Sequence, residues 1–506
     1  MTGGRPQTVH GVFADVARSM PGAVAVEDDR DRMTYAELDQ RATALAEVIV
    51  ARGCRGGFVG VLLDRSAQTI VALLAVLKAG AAYVPLDPAY PRARLLEMVE
   101  RCGAALVLTT VAVHEAVGDV GAKAIFLDEV PRLPAAVPSS EPPRGPSDPA
   151  YAMFTSGTTG RPKAVVISHH NVVNLATRAD YVDLSPARTL LQFAPISFDA
   201  STFEIWGALL NGARLVVAPG GLLGSDQLGA TLVRHRVDSM WLTSALFHQI
   251  VDTDLAALGP VTQLLAGGDV LSADHVRRAL AAVPGRVVVN GYGPTETTTF
   301  ACCHRMSAVE EVGHPVPIGR AIPGVRVWIM AEEGAPVPAG EVGELWIAGE
   351  GVSLGYLQDP DENRRRFVPE PGNPGSRAYR SGDLVRSRSD GVLEFLGRID
   401  DQIKVRGHRI EPAEVEAALV AQPTVRRAVV TAHEIRPGDK RLVAYLVLAP
   451  GAELRVPELR RALSATLPSY LIPARYVVLD DLPVTRNGKI DRRALPAPEW
   501  TPARAG

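Results

Sequence analysis

Phe154-Thr155-Ser156-Gly157-Thr158-Thr159-Gly160-Arg161-Pro162-Lys163 closes a short apolar run, 150–154, that reads as a strand. The strand empties into a loop dense in hydroxyls and glycines. Gly157 and Gly160 permit positive φ and close approach of backbone to a ligand. Successive free N–H groups, the hydroxyls and Lys163 make a concave anion site, suited to a polyphosphate. The loop is not a Walker A motif, which needs Gly-Lys-Ser/Thr opening a helix. Here Arg161 and Pro162 separate Gly160 from Lys163, and Ala164 follows the lysine.

Bulk properties narrow the classes. A chain of 506 residues exceeds what one hydrophobic core supports, so two or more domains are expected. Apolar content of 47% with 22% charged residues fits a soluble globular protein. A net charge of -3 leaves no nucleic-acid footprint. Cys54, Cys102, Cys302 and Cys303 lack metal-ligand spacing, and their scarcity suits a reducing cytoplasm. Residues 1–20 carry no apolar signal core. The longest apolar run, 70–84, is broken by Lys78, so no membrane span is expected.

Taken in order, Thr34 and Glu37 form a capping box ahead of a helix through Leu38, Ala42, Leu45 and Val48. Strands at 59–63 and 83–86 flank a helix at 69–78. Residues 131–149, rich in proline and serine, read as an exposed connector. After the loop the alternation resumes: strands at 190–193, 215–218, 240–242, 261–265 and 287–289, helices at 202–210, 228–236 and 276–282. Such alternation predicts a largely parallel sheet. From 319 to 396 the texture turns to short strands and Gly/Pro turns, an antiparallel or barrel-like subdomain. Beyond Asp400 a compact α+β unit is expected, with a hairpin about Pro437-Gly438-Asp439.

Ordered short motifs then accumulate. They include Leu77-Lys78-Ala79-Gly80, the loop itself, Phe198-Asp199-Ala200-Ser201, and Asn290-Gly291-Tyr292-Gly293-Pro294-Thr295-Glu296. Further on come Tyr379-Arg380-Ser381-Gly382-Asp383-Leu384, Arg406-Gly407-His408-Arg409-Ile410 and Asn487-Gly488-Lys489-Ile490. Along nearly its whole length the chain resembles nonribosomal peptide synthetase adenylation domains, within the adenylate-forming superfamily. Ala164 and Ser381 depart from the commoner Gly and Thr without removing a charge.

The resemblance implies an α/β fold. A large domain, 1–399, would hold stacked, mostly parallel sheets plus the β-barrel-like subdomain, and 400–506 a small mobile lid hinged at Asp400. It implies ATP and Mg²⁺ as cofactors. Thr155, Ser156, Gly157, Thr158, Thr159 and Gly160 would hold phosphates, with Lys163 alongside. Thr295 would contact phosphate and Glu296 would hold the metal. Asn290 would bond the adenine, which Tyr292 stacks upon beside Gly291. Asp383 would accept the ribose hydroxyls, with Arg398 near the ribose or phosphate. Lys489 would enter the cleft as the catalytic lysine, and Gly407 would line the path of a thiol.

The residues suggest two readings for Asp199. An aspartate before a helix is usually an N-cap, and Ser201 also suits that role. In the family the matching aspartate pairs with the α-ammonium of an amino acid. The implied pocket is Asp199, Ala200, Phe203, Trp241, Leu265, Gly267, Gly291, Thr299, Phe300 and Lys489. It holds no charge to meet a polar side chain, and its aromatic rings leave room for a small aliphatic one. The set is similar to the family's valine pockets. One methylene in such a pocket is worth ~1–3 kcal/mol, so 2-aminobutyrate stays beside valine.

No carrier motif follows Lys489, so a stand-alone enzyme loading the phosphopantetheine thiol of a separate peptidyl carrier protein is expected. The alternatives are an acyl-CoA ligase for a non-amino acid and a silent nucleotide-binding module.

Overall fold

The computed structural model describes residues 8–130, 145–157, 160–221, 223–436, 439–484 and 490–500. Two sheets form the large domain. One has nine strands. Its central strands, Val24–Glu27, Arg214–Val217, Thr189–Gln192, Ser239–Thr243, Gln263–Gly267 and Val287–Tyr292, run parallel. Only its margins, Arg32–Thr34, Cys302–Met306 and Arg320–Ala321, are antiparallel. The other has seven strands. In it Ala82–Leu86 pairs in parallel with Pro149–Thr155, the strand that feeds the loop.

The expected capping box is present: Thr34 Oγ1 accepts from the Glu37 N–H, and Glu37 accepts from the Thr34 N–H. The helix it starts, Tyr35–Ala51, buries Leu38, Ala42 and Leu45. The helices Ala67–Lys78 and Ala200–Leu209 share one core with strands of both sheets. Every residue of Ala200–Leu209 is buried, as an apolar helix between two layers must be. Trp206 Nε1 donates to Tyr83 Oη (3.1 Å) and Thr202 Oγ1 to Tyr151 Oη (3.0 Å). These bonds tie the helix to the seven-stranded sheet, and its start, at Asp199, is thereby fixed between the layers.

The β subdomain is a five-stranded sheet whose paired strands are antiparallel. The C-terminal unit has its own core around Ile410, Val415, Leu419, Leu446 and Leu463. Its hairpin pairs Val425–Arg436 with Asp439–Leu448, and residues 437–438 at the turn lie outside the described residues. Cys302 and Cys303 lie in a strand as free, buried thiols. Among the described residues no helix is long and apolar enough to cross a membrane.

The helices Val9–Ser19 and Arg92–Cys102 were not expected. The second carries a legible stripe, Leu95, Met98, Val99 and Cys102, and ends on Gly103 at φ 61°. That spacing and C-terminal glycine are helix signals. Polar residues between the stripe positions, and a start at Pro91 with no side-chain cap, obscure them.

Candidate functional site

A cavity of about 590 Å³ lies between the large domain and the C-terminal unit. The glycine- and hydroxyl-rich loop, at Thr155 and Ser156, forms one wall. A Cβ on Gly157 would fall 1.7 Å from the Arg161 carbonyl oxygen, so this turn admits only glycine there. Thr158 and Thr159 lie outside the described residues. Lys163 does not line the cavity: its Nζ sits 2.8 Å from Glu362 Oε1, in a buried pair.

Asp199 occupies the N-cap position of Ala200–Leu209 but makes no side-chain cap bond, so the ordinary N-cap reading fails. Its carboxylate faces the cavity and accepts a hydrogen bond from Thr295 Oγ1 (2.6 Å). Thr295 is thus turned toward Asp199 here. Thr299 Oγ1 donates to the Asp199 carbonyl (2.8 Å). Burial pushes the Asp199 carboxyl up to about 6, the Thr295 bond opposing and nearby Glu296 adding. Among the described residues no cation forms a salt bridge with it, so the site favours a ligand that brings one.

Ala200, Trp241, Gly291, Thr299 and Phe300 join Asp199 in the cavity wall. Phe300 forms its floor. It packs at 5.2 Å on Phe203 and edge-on at 6.0 Å to Tyr181. Phe203 and Leu265 lie behind the wall, around a second, far smaller void next to Trp241. Gly267 lies outside the cavity wall: a Cβ there would meet the Gly291 carbonyl oxygen of the neighbouring strand at 2.1 Å. Lys489 lies outside the described residues.

Asp383 also lines the cavity, together with Arg398. Asp383 accepts from Tyr292 Oη (2.5 Å) and Arg398 (2.5 Å). Tyr292 and Asn290 stand behind the wall, and Asn290 Nδ2 donates to the Pro317 carbonyl (2.8 Å). Lys404 Nζ sits 5.6 Å from the Tyr292 ring centroid. Asp400 accepts from Arg398 (2.7 Å) and Arg366 (3.3 Å). Burial would raise its carboxyl, but these arginines hold it at about 2.

Glu296 is buried with Tyr356 Oη at 2.6 Å and Arg409 at 2.7 Å. Burial alone would raise this carboxyl, but Arg409 overrides it and keeps it below its usual range. Among the described residues no group of three or more His, Cys, Asp or Glu could hold a metal. A lone carboxylate still fits Mg²⁺, which takes one or two protein carboxylates and completes its shell with water and phosphate oxygens. In this structure Arg409 already occupies that carboxylate.

Gly407 lines the cavity from the C-terminal unit. His408 and Arg409, which sequence reading quoted in a motif without giving them a role, line it too. His408 stacks flat on Tyr470 at 4.0 Å and meets Phe198 at 5.8 Å. Burial lowers its imidazole to about 4, so the stack is neutral.

Comparison with known proteins gives the family. The family model described as AMP-binding enzyme matches residues 13–357, and AMP-binding enzyme C-terminal domain matches 414–489. The chain belongs to the AMP-binding enzyme family. It is an adenylate-forming ligase of the nonribosomal peptide synthetase (NRPS) adenylation type. It is 44% identical over 506 residues to a linear gramicidin synthase of Brevibacillus parabrevis, covering 99% of this chain and 6% of that protein. Tyrocidine synthase 3 of the same organism is 41% identical, with 98% of this chain and 8% of that protein covered. The chain therefore spans a small part of these relatives. Holo-PA1221, an NRPS protein containing adenylation and PCP domains bound to a vinylsulfonamide inhibitor, superposes with a TM-score of 0.86 at 35% identity. That match covers 96% of this chain and 83% of that one.

Proposed function

We propose that this protein activates a small aliphatic L-amino acid, valine or 2-aminobutyrate, as its aminoacyl adenylate and passes it to a carrier thiol. The observation that carries the reading is Asp199, a cavity carboxylate relieved of capping and facing an apolar, aromatic-floored pocket. It suits an α-ammonium beside a small apolar side chain. An acyl-CoA ligase for a plain carboxylic acid has no use for that anion.

ATP supplies the adenylyl group, the substrate carboxylate attacking the α-phosphorus and pyrophosphate leaving. Asp383 would receive the ribose, the loop of Thr155 to Gly160 the phosphates, and Glu296 the Mg²⁺ that neutralises charge there. By resemblance Lys489 would steady the carboxylate and nucleotide. Asp400 would be the hinge between domains 1–399 and 400–506. The pose seen here suits the second step, because Arg409 fills the metal position and the cavity runs past Gly407. Similar solved structures whose names include a PCP domain support a carrier partner. Carrier added as a separate protein tests loading in trans.

The deciding measurement is amino-acid-dependent ATP–pyrophosphate exchange across a panel. Strongest exchange is expected with L-valine or L-2-aminobutyrate, and little with Asp, Lys or Phe. A best substrate with a charged or aromatic side chain sinks the pocket assignment. Stimulation by plain carboxylic acids alone favours the acyl-CoA ligase, and no exchange at all favours a silent nucleotide-binding module.

A pH profile follows from Asp199. Its carboxyl stands at about 6 in the free enzyme, and an ammonium partner would lower it. Amino-acid binding then releases a proton below that pH and none above it. kcat/KM for the amino acid should be level above about pH 6 and fall about tenfold per unit below it. The inflection should vanish in Asp199→Asn. An unchanged profile in that variant contradicts the assignment.

A further inference from the structure

Arg94 projects from the helix Arg92–Cys102 beside the phosphate loop, and nothing in the proposed chemistry uses it. Its guanidinium is 6% exposed and contacts Glu414 Oε1 at 2.5 Å. Glu414 is 1% exposed and belongs to the C-terminal helix Pro412–Val420. Its other oxygen, Oε2, accepts the backbone N–H of Gly157 in the loop (3.2 Å). One carboxylate therefore bridges Arg94 and a loop donor. Two more bonds press the same helix start onto the loop. Ser156 Oγ donates to the Arg409 carbonyl (2.7 Å) and accepts from the Glu411 N–H (3.1 Å). At Gly160 an added Cβ would come within 3.1 Å of Ala417 Cβ.

We propose that Arg94 and the Gly157 N–H form a slot one anion wide, which Glu414 fills in this pose and a polyphosphate oxygen fills when the C-terminal unit withdraws. The inference rests on reading this loop as a phosphate loop. A buried guanidinium needs an anion in either state, because stranding it is expensive. The carboxylate and the phosphate then compete for the same donors. Arg94 Nε has no hydrogen-bond partner among the described residues, so the cation has a donor to spare for a larger anion. Arg94 is in this view a polyphosphate ligand, and Glu414 a built-in competitor that keeps pyrophosphate and the closed lid apart.

The pair makes predictions of opposite sign. The probe is inorganic pyrophosphate with Mg²⁺, titrated calorimetrically into the full-length protein saturated with AMP. Glu414→Gln removes the competing charge and should tighten pyrophosphate binding ~3–10-fold, because the competent state is no longer taxed by the lid. Arg94→Ala should weaken it about tenfold or more, the scale of a lost charge-assisted bond. Arg94→Lys should recover part of that loss. Thermal melts of each variant check folding. Equal affinity in wild type, Glu414→Gln and Arg94→Lys overturns the slot, leaving a structural ion pair between domains. So does weakening in both Glu414→Gln and Arg94→Ala. Absence of pyrophosphate binding in every protein, wild type included, overturns the phosphate-loop reading together with the slot.

Discussion

Asp199→Ala should raise the KM for the amino acid by ~10²–10³-fold while the KM for ATP stays within a few-fold. The size follows from losing the only proposed partner of a buried ammonium, ~3–5 kcal/mol, at about 1.4 kcal/mol per tenfold. The carboxylate already carries a strain that the substrate relieves. Burial holds it at about 6, with the Ala200 N–H and Thr295 Oγ1 (2.6 Å) opposing the shift. An ammonium placed there satisfies both ions at once. The alanine variant should also narrow the gap between an amino acid and its analogue lacking the amino group. In exchange assays, 3-methylbutanoate should lose far less than valine. A near-normal valine KM in Asp199→Ala removes the ammonium role. An equal loss for both acids points instead to collapse of the helix start, which circular dichroism and melting distinguish.

That Asp199 was legible at all came from its motif, not its position. Position alone says N-cap, and the structure shows the cap bond missing. Strand–helix alternation pointed to a largely parallel sheet because each strand is a short, nearly continuous apolar run, as sheets covered on both faces require, but the division into two sheets came from the resemblance, not from the pattern. Runs adjacent in sequence place Asp199 and Ala200, and Gly291, Thr299 and Phe300, in one cavity wall, whereas Phe203 lies behind it. The pocket was less readable at Gly267, which faces the backbone of the next strand instead of the cavity. Lys163 reads as a phosphate contact beside two glycines, yet Glu362, distant in sequence, claims its ammonium. Pairings of this kind depend on which element packs behind a loop. The same limit hid Arg94–Glu414 and Arg409–Glu296, both formed across domains. No local pattern carries such contacts, since their partners lie far apart in the sequence.

Gly407→Ala should separate the two proposed half-reactions. Amino-acid-dependent exchange should stay near wild type, while transfer from preformed adenylate to a carrier thiol falls ~30-fold or more. Gly407 sits at φ +84°, where a side chain costs about 1–3 kcal/mol of backbone strain. A Cβ there would also lie 2.5 Å from Thr243 Cγ2 and 3.0 Å from Thr243 Cβ. Overpacking of that sort costs ~1–3 kcal/mol. Thr243 yields poorly, because its hydroxyl caps the helix Ser244–Thr253 by accepting the Leu246 N–H. All these contacts belong to the pose in which Arg409 pairs with Glu296, the residue proposed to hold Mg²⁺. In the proposed scheme the pose that binds ATP and Mg²⁺ breaks them, so adenylation should not feel the methyl. Thr243→Ser offers a second handle. It deletes the clashing Cγ2 and keeps the capping hydroxyl, so it should restore part of the transfer lost in Gly407→Ala. The remainder of the loss, due to positive φ, should persist in the double variant. Single-turnover measurement of both steps in the three variants decides the matter. Equal loss of exchange and transfer in Gly407→Ala, or no recovery with Thr243→Ser, would rule out this pose as the one that transfers.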